Sequence, residues 1–172
     1  MTIFEADFET TGPEDTREAA RRLGQSLAGG GVIALFGDLG AGKTCFVQGL
    51  ARGLGVETEG EVRSPTFVLR TDHPTRDGRL LIHVDAYRLG GEAEFLDLGI
   101  IDDIADPATI LVVEWAERVR GALPDDLVEV HIDHLGPLSR RIRVRDRSGL
   151  LSPVRNEPPS TSPVEEASNG PE

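Results

Sequence analysis

Val32-Ile33-Ala34-Leu35-Phe36-Gly37-Asp38-Leu39-Gly40-Ala41-Gly42-Lys43-Thr44 is a short apolar run that ends directly on a complete G-x-x-x-x-G-K-T loop. The run suits a buried strand of a parallel sheet. Behind the loop, Phe46, Val47, Leu50, Ala51 and Leu54 recur at helical spacing, and Gly55 follows as a C-cap. Strand, loop and helix therefore stand in the order that a phosphate-binding loop requires, which separates this match from a chance glycine-rich turn.

The chemistry of such a loop needs these residue types. Glycines let successive backbone N–H groups curl around phosphate oxygens, and the positive end of the following helix adds to their field. Asp38, Leu39, Gly40, Ala41, Gly42, Lys43, Thr44 and Cys45 are accordingly the expected nucleotide contacts. Lys43 is the chain's only lysine among 18 basic residues, all others being arginine. A slender ammonium reaches between β- and γ-phosphate oxygens where a planar guanidinium is bulkier. Thr44 offers its hydroxyl to Mg²⁺. With the sole lysine already in the loop, an Asn-Lys-x-Asp guanine-reading motif is excluded, and ATP is the expected nucleotide.

Outward from the loop, Asp15 and Glu18 resemble the start of a helix whose apolar stripe is Ala20, Leu23 and Leu27, and which stops at Gly29-Gly30-Gly31. Downstream, 67–71 reads as a strand followed by a turn over 72–78. Leu80-Leu81-Ile82-His83-Val84-Asp85 is a strand ending in a carboxylate, 92–98 is a short helical stretch, and Ile110-Leu111-Val112-Val113 is a buried strand ending at Glu114-Trp115. Val128, Val130 and Ile132 alternate with Glu129, His131 and Asp133. Ile142 and Val144 alternate with Arg141, Arg143 and Arg145, and Gly136-Pro137 lies between the two segments, as in a hairpin. The expected fold is α/β: a P-loop NTPase-like, mostly parallel sheet flanked by helices, with a C-terminal β-hairpin.

At 172 residues the chain suits one domain. The expected boundaries are 1–149 for the P-loop domain and 150–172 for an acidic, Pro/Ser-rich tail, read as disordered because it has little apolar surface to bury. That tail holds four glutamates against one arginine, so the domain carries about −9 of the net charge of −12. Such a balance opposes a broad grip on nucleic-acid phosphates: no DNA partner is expected, and any RNA role is indirect. No apolar run approaches the roughly 20 residues that span a bilayer, and the start lacks signal-peptide order, so the expectation is a cytoplasmic protein with no membrane partner. The lone Cys45 excludes an internal disulfide and a cysteine-based zinc cluster.

A P-loop protein holds Mg²⁺ with an acid at the end of a neighbouring buried strand. Glu114 and Asp85 both qualify, and the bland reading of each is an ordinary strand-end or capping acid. Glu114 is expected on the metal side and Asp85 in orienting water or the metal shell. Thr66, between the loop helix and the next strand, is expected in a segment that senses the γ-phosphate. His131 and His134 have suggestive spacing for a metal but lack further ligands nearby, and are read as surface residues. The arginines from Arg140 to Arg147 are read chiefly as a solvated strand face.

Four motifs in order, Gly37-Asp38-Leu39-Gly40-Ala41-Gly42-Lys43-Thr44, Ser64-Pro65-Thr66-Phe67, His83-Val84-Asp85-Ala86-Tyr87-Arg88-Leu89 and Val113-Glu114-Trp115, resemble the TsaE family, over residues 15–145. The resemblance implies a small Mg²⁺-dependent ATPase of bacterial tRNA threonylcarbamoyladenosine biosynthesis that is slow alone. It would join a TsaB–TsaD pair that modifies the adenosine beside the anticodon, meeting tRNA through the complex. Carried over by motif, Lys43 and its loop hold phosphates, Thr44 and Glu114 bind Mg²⁺, Asp85 supports hydrolysis, and Arg140 reaches the nucleotide. Cys45 stands where the family commonly has a second threonine. The residue pattern also admits a small-molecule kinase, although no arginine-rich lid is evident, and a module that binds ATP and acts through conformation.

Overall fold

The computed structural model describes residues 4–56, 62, 65 and 67–151. In chain order its strands are β1 (Phe4–Thr10), β2 (Gly31–Phe36), β3 (Arg70–Pro74), β4 (Leu80–Asp85), β5 (Thr109–Glu114), β6 (Val128–His134) and β7 (Arg140–Asp146). Its α-helices are α1 (Pro13–Ser26), α2 (Lys43–Gly53), α3 (Glu92–Leu96) and α4 (Ile100–Ala105). All strands share one sheet in the order β1-β7-β6-β2-β5-β4-β3. The central four, β6, β2, β5 and β4, are parallel to one another. The edges are antiparallel: β1 on β7, β7 on β6, and β3 on β4. The expected α/β architecture and C-terminal hairpin are present, in a mixed sheet that is parallel at its centre.

The pleat sorts side chains into two cores. Ile33, Leu35, Leu81, Ile110 and Val112 face α1 and α2, together with Val128, Val130, Ile132, Ile142 and Val144. Val32, Ala34, Ile82, Val84, Leu111 and Val113 face the other way, onto Phe95, Ile100 and Leu127. Because β4 and β5 alternate strictly, His83, Asp85 and Glu114 fall on the face of Leu81 and Val112, under α2. Helix α2 lies close against α1 because its glycines permit it: a Cβ at Gly49 would stand 2.1 Å from the Arg17 carbonyl oxygen, and one at Gly53 would stand 2.2 Å from that of Arg21. The C-terminus of α2 is closed by Val56 N–H on Ala51 O and Gly55 N–H on Arg52 O, with Gly55 at φ 71°, which bears out the expected C-cap.

Several local expectations need correction. Helix α1 begins at Pro13, not at Asp15, because the proline ring presets the helical φ. Asp15 instead accepts the backbone N–H and the hydroxyl of Thr11 from inside the first turn. The strand expected over 67–71 runs from Arg70 to Pro74, into the stretch read as a turn. A second short helix, α4, follows α3 after a left-handed break at Gly99. Strand β1 was not anticipated, and it supplies the acids facing the arginines of β7: Asp7 accepts from Arg141 and Glu5 from Arg145, both at 2.7 Å.

The domain edge also moves. Leu150 and Leu151, assigned to the tail, are buried in the α1/α2 core, and Leu151 bridges Leu27. The fully buried Asp146 carboxylate directs this return, accepting the backbone N–H groups of Ser148, Gly149 and Leu151 and the Ser148 hydroxyl at 2.7–3.0 Å. The rest of the expected tail lies outside the described residues. Among the described residues, no helix is long and apolar enough to cross a membrane.

Candidate functional site

Loop 37–44 leaves the C-terminal end of β2 and turns into α2 through glycines at positive φ: Gly37 at 150°, Gly40 at 75° and Gly42 at 106°. Gly40 and Gly42 have no neighbour within 4 Å of a built Cβ, so backbone conformation is what calls for glycine there. At Gly37 space forbids a side chain, since a Cβ would meet the Ile132 carbonyl oxygen at 2.5 Å. Gly42 caps α2 without a side chain of its own, so the cap residue leaves the first-turn N–H groups and the positive end of the helix uncovered.

Lys43 is 4% exposed, and its Nζ donates to the carbonyls of Gly37 at 2.5 Å and Asp38 at 2.9 Å. The same ammonium lies 3.7 Å from the centroid of the Trp115 ring. Burial pushes the Lys43 pKa down, while the charges of Glu114, Glu117, Asp85 and Asp38 act in the opposite direction. Trp115 occupies the left-handed region at φ 58°, a conformation that costs a non-glycine residue roughly 1–2 kcal/mol. This turn at the end of β5 places the indole over Lys43 and 4.9 Å from the Tyr87 ring.

Glu114 is 3% exposed at the end of β5, the central strand beside β2. The Thr44 hydroxyl donates to both its oxygens, at 2.9 and 3.0 Å, and His83 Nε2 lies 2.8 Å from Oε1. Asp85 stands opposite Glu114 in the β4–β5 register and is also buried. Its Oδ1 accepts the Tyr87 N–H at 3.0 Å, so it caps a 3-10 turn over Ala86–Arg88. The capping role weighed for this acid is thus real, and it coexists with a place beside Glu114.

The structure therefore brings Asp38, Gly40, Ala41, Gly42, Lys43, Thr44, Asp85 and Glu114 to one end of the parallel strands. Leu39, at the tip of the loop, is 74% exposed. The Cys45 thiol turns toward α1 and donates to Pro13 O at 3.1 Å, and burial pushes its pKa up. Arg140 reaches the loop from β7: Nε donates to Ala41 O at 2.9 Å and Nη2 to Gly40 O at 3.3 Å, while Nη1 holds Gly136 and Ser139 carbonyls in the hairpin. Its donors brace loop and hairpin against each other. Thr66 lies outside the described residues. His131 stacks on Phe36 at 4.6 Å, and no cluster of three or more His, Cys, Asp or Glu suited to a metal occurs among the described residues. For His83 the sequence carries one signal, its isolated place in an apolar strand that ends in a carboxylate.

The model of the family described as threonylcarbamoyl adenosine biosynthesis protein TsaE matches residues 10–142. The chain belongs to the TsaE family. TsaE of Streptomyces coelicolor is 43% identical over 139 residues, covering 78% of this chain and 90% of that protein. TsaE of Treponema pallidum is 40% identical over 132 residues, covering 76% and 93%. Among solved structures, the crystal structure of Bacillus subtilis YdiB superposes with a TM-score of 0.63 at 30% identity, covering 85% of this chain and 88% of that one. The TsaE match thus takes in the loop, β4, β5 and the start of β7.

Proposed function

We propose that this TsaE-family chain is a Mg²⁺-dependent ATPase that serves tRNA threonylcarbamoyladenosine formation in the cytoplasm. It works as an accessory subunit that lets a TsaB–TsaD transferase turn over repeatedly on the adenosine beside the anticodon. The observation that carries this reading is the Lys43–Thr44–Glu114 cluster, which sets an ammonium, a hydroxyl and a buried carboxylate at the mouth of a glycine loop. The uncapped start of α2 and the open space at Gly40 and Gly42 fit a phosphate chain. Two hard oxygen donors, Thr44 Oγ1 and Glu114, fit Mg²⁺, which keeps several waters and completes its shell with phosphate oxygens. When bound, the cation neutralises charge on the transferring phosphoryl group.

In this reading Lys43 exchanges its two carbonyl partners for phosphate oxygens, and Trp115 shields the ammonium from water. Glu114 and Thr44 orient the metal shell, and Asp85 directs the attacking water. Arg140 keeps the loop carbonyls turned away from the phosphates by binding them itself. With a net charge of −12, the protein meets tRNA through its partners and binds it weakly alone at physiological salt.

The test is reconstitution. Phosphate release from ATP is measured for the chain alone and with TsaB and TsaD, alongside modified tRNA formed per complex. Slow hydrolysis alone, stimulation by the pair, and multiple turnover that requires this chain are expected. Undiminished multiple turnover in its absence removes the proposed role.

A further inference from the structure

We propose that His83 is the positioning residue that holds the Glu114 carboxylate in place for the divalent cation; this rests on the nucleotide reading above. His83 is fully buried on β4, one strand away from Glu114, and its Nε2 reaches Oε1 at 2.8 Å. An ionised carboxylate only accepts, so this contact assigns the ring proton to Nε2. Nδ1 is buried and has no hydrogen-bond partner among the described residues. With Nε2 on Oε1, His83 fixes the carboxylate from the sheet side.

Two donors from two different elements then define the carboxylate. The Thr44 hydroxyl spends its one proton on Glu114, leaving the oxygen's lone pairs for the metal side, while His83 fixes the opposite constraint from the sheet. Without His83, the Thr44 proton is the carboxylate's remaining side-chain hydrogen bond among the described residues, and the carboxylate can rotate about its last torsion. Partners that orient a metal-ligating group in this way commonly contribute about 10–100-fold to metal affinity.

The experiment titrates ADP into the wild type, His83→Ala, His83→Gln and His83→Asn by calorimetry, first with a chelator and then over a Mg²⁺ series. Gln carries an amide nitrogen the same number of bonds from Cα as the histidine Nε2, whereas Asn is one methylene shorter. With the chelator, all four proteins bind ADP within about two-fold of one another. The Mg²⁺ concentration for half-maximal effect rises about 10–100-fold in His83→Ala and His83→Asn, and His83→Gln returns it to within a few-fold of the wild type. Wild-type Mg²⁺ dependence in His83→Ala overturns the inference, as does equal impairment of the Gln and Asn variants, which is the pattern of a packing role. If His83→Ala fails to fold, the Gln–Asn comparison decides alone. A wild type that binds no nucleotide instead removes the reading on which the inference rests.

Discussion

Lys43 already has a full set of partners before any phosphate arrives: two carbonyls and the Trp115 ring. Lys43→Arg is expected to lose at least ten-fold in nucleotide affinity, and Lys43→Ala more, by titration with a fluorescent ATP analogue, because a guanidinium has no room in a cleft that leaves lysine 4% exposed. Wild-type affinity in the arginine variant defeats that steric reason. Glu114→Gln keeps the shape but removes charge, so hydrolysis should fall far more than nucleotide binding; equal losses in both would argue that the carboxylate is structural. At this scale the glycine loop, Thr44 and Glu114 were legible because their signals are local or end an apolar strand. The bracing by Arg140 was not, since its loop partners lie 99 and 100 residues away in sequence.

Among the elements, helix periodicity gave α2, apolar runs ending in a carboxylate gave β4 and β5, and strand alternation gave the hairpin, because each pattern is written within its own segment. The α1–α2 contact was hidden, since a glycine inside a helix advertises nothing about the backbone it will meet. Gly49→Ala is expected to destabilise at the upper end of the roughly 1–3 kcal/mol typical of overpacking, because its Cβ would strike backbone rather than a movable side chain. A thermal melt tests this, and an unchanged midpoint would mean that the helices can slide apart freely. On the outer face of α1, hydrogen bonds from Arg21 and then Arg22 hold the Glu18 carboxyl at about 2, against an ordinary 4.5. A depressed acid contributes fully above pH about 4.5 and loses that contribution as the pH falls towards 2. Glu18 remains 40% exposed, so the stake is within about 0.5 kcal/mol. Melting midpoints of wild type and Glu18→Gln should therefore differ slightly at pH 7 and converge by pH 2; a gap that persists in acid would assign the effect to packing.

For the whole molecule, the end of the domain is where composition misled. Prolines and acids dominate residues 150–172, yet the first two of them, Leu150 and Leu151, belong to the core. A chain ending at Gly149 should be less stable than one ending at Leu151 by several kcal/mol, taking roughly 2–5 kcal/mol for each buried leucine removed. Equal denaturation midpoints for the two truncations would show that the leucines contribute nothing. Strand β1 was missed for a related reason: Phe4, Ala6 and Phe8 alternate with Glu5, Asp7 and Glu9, but the pattern has meaning only beside the arginines of β7. That pairing joins the first strand among the described residues to the last. On a ribosome making roughly 5–20 residues per second, β1 emerges ~10 s before its partner. During that interval its apolar row must wait uncovered or be sheltered by other proteins. The sheet closes its β1 edge only after β7 has been made.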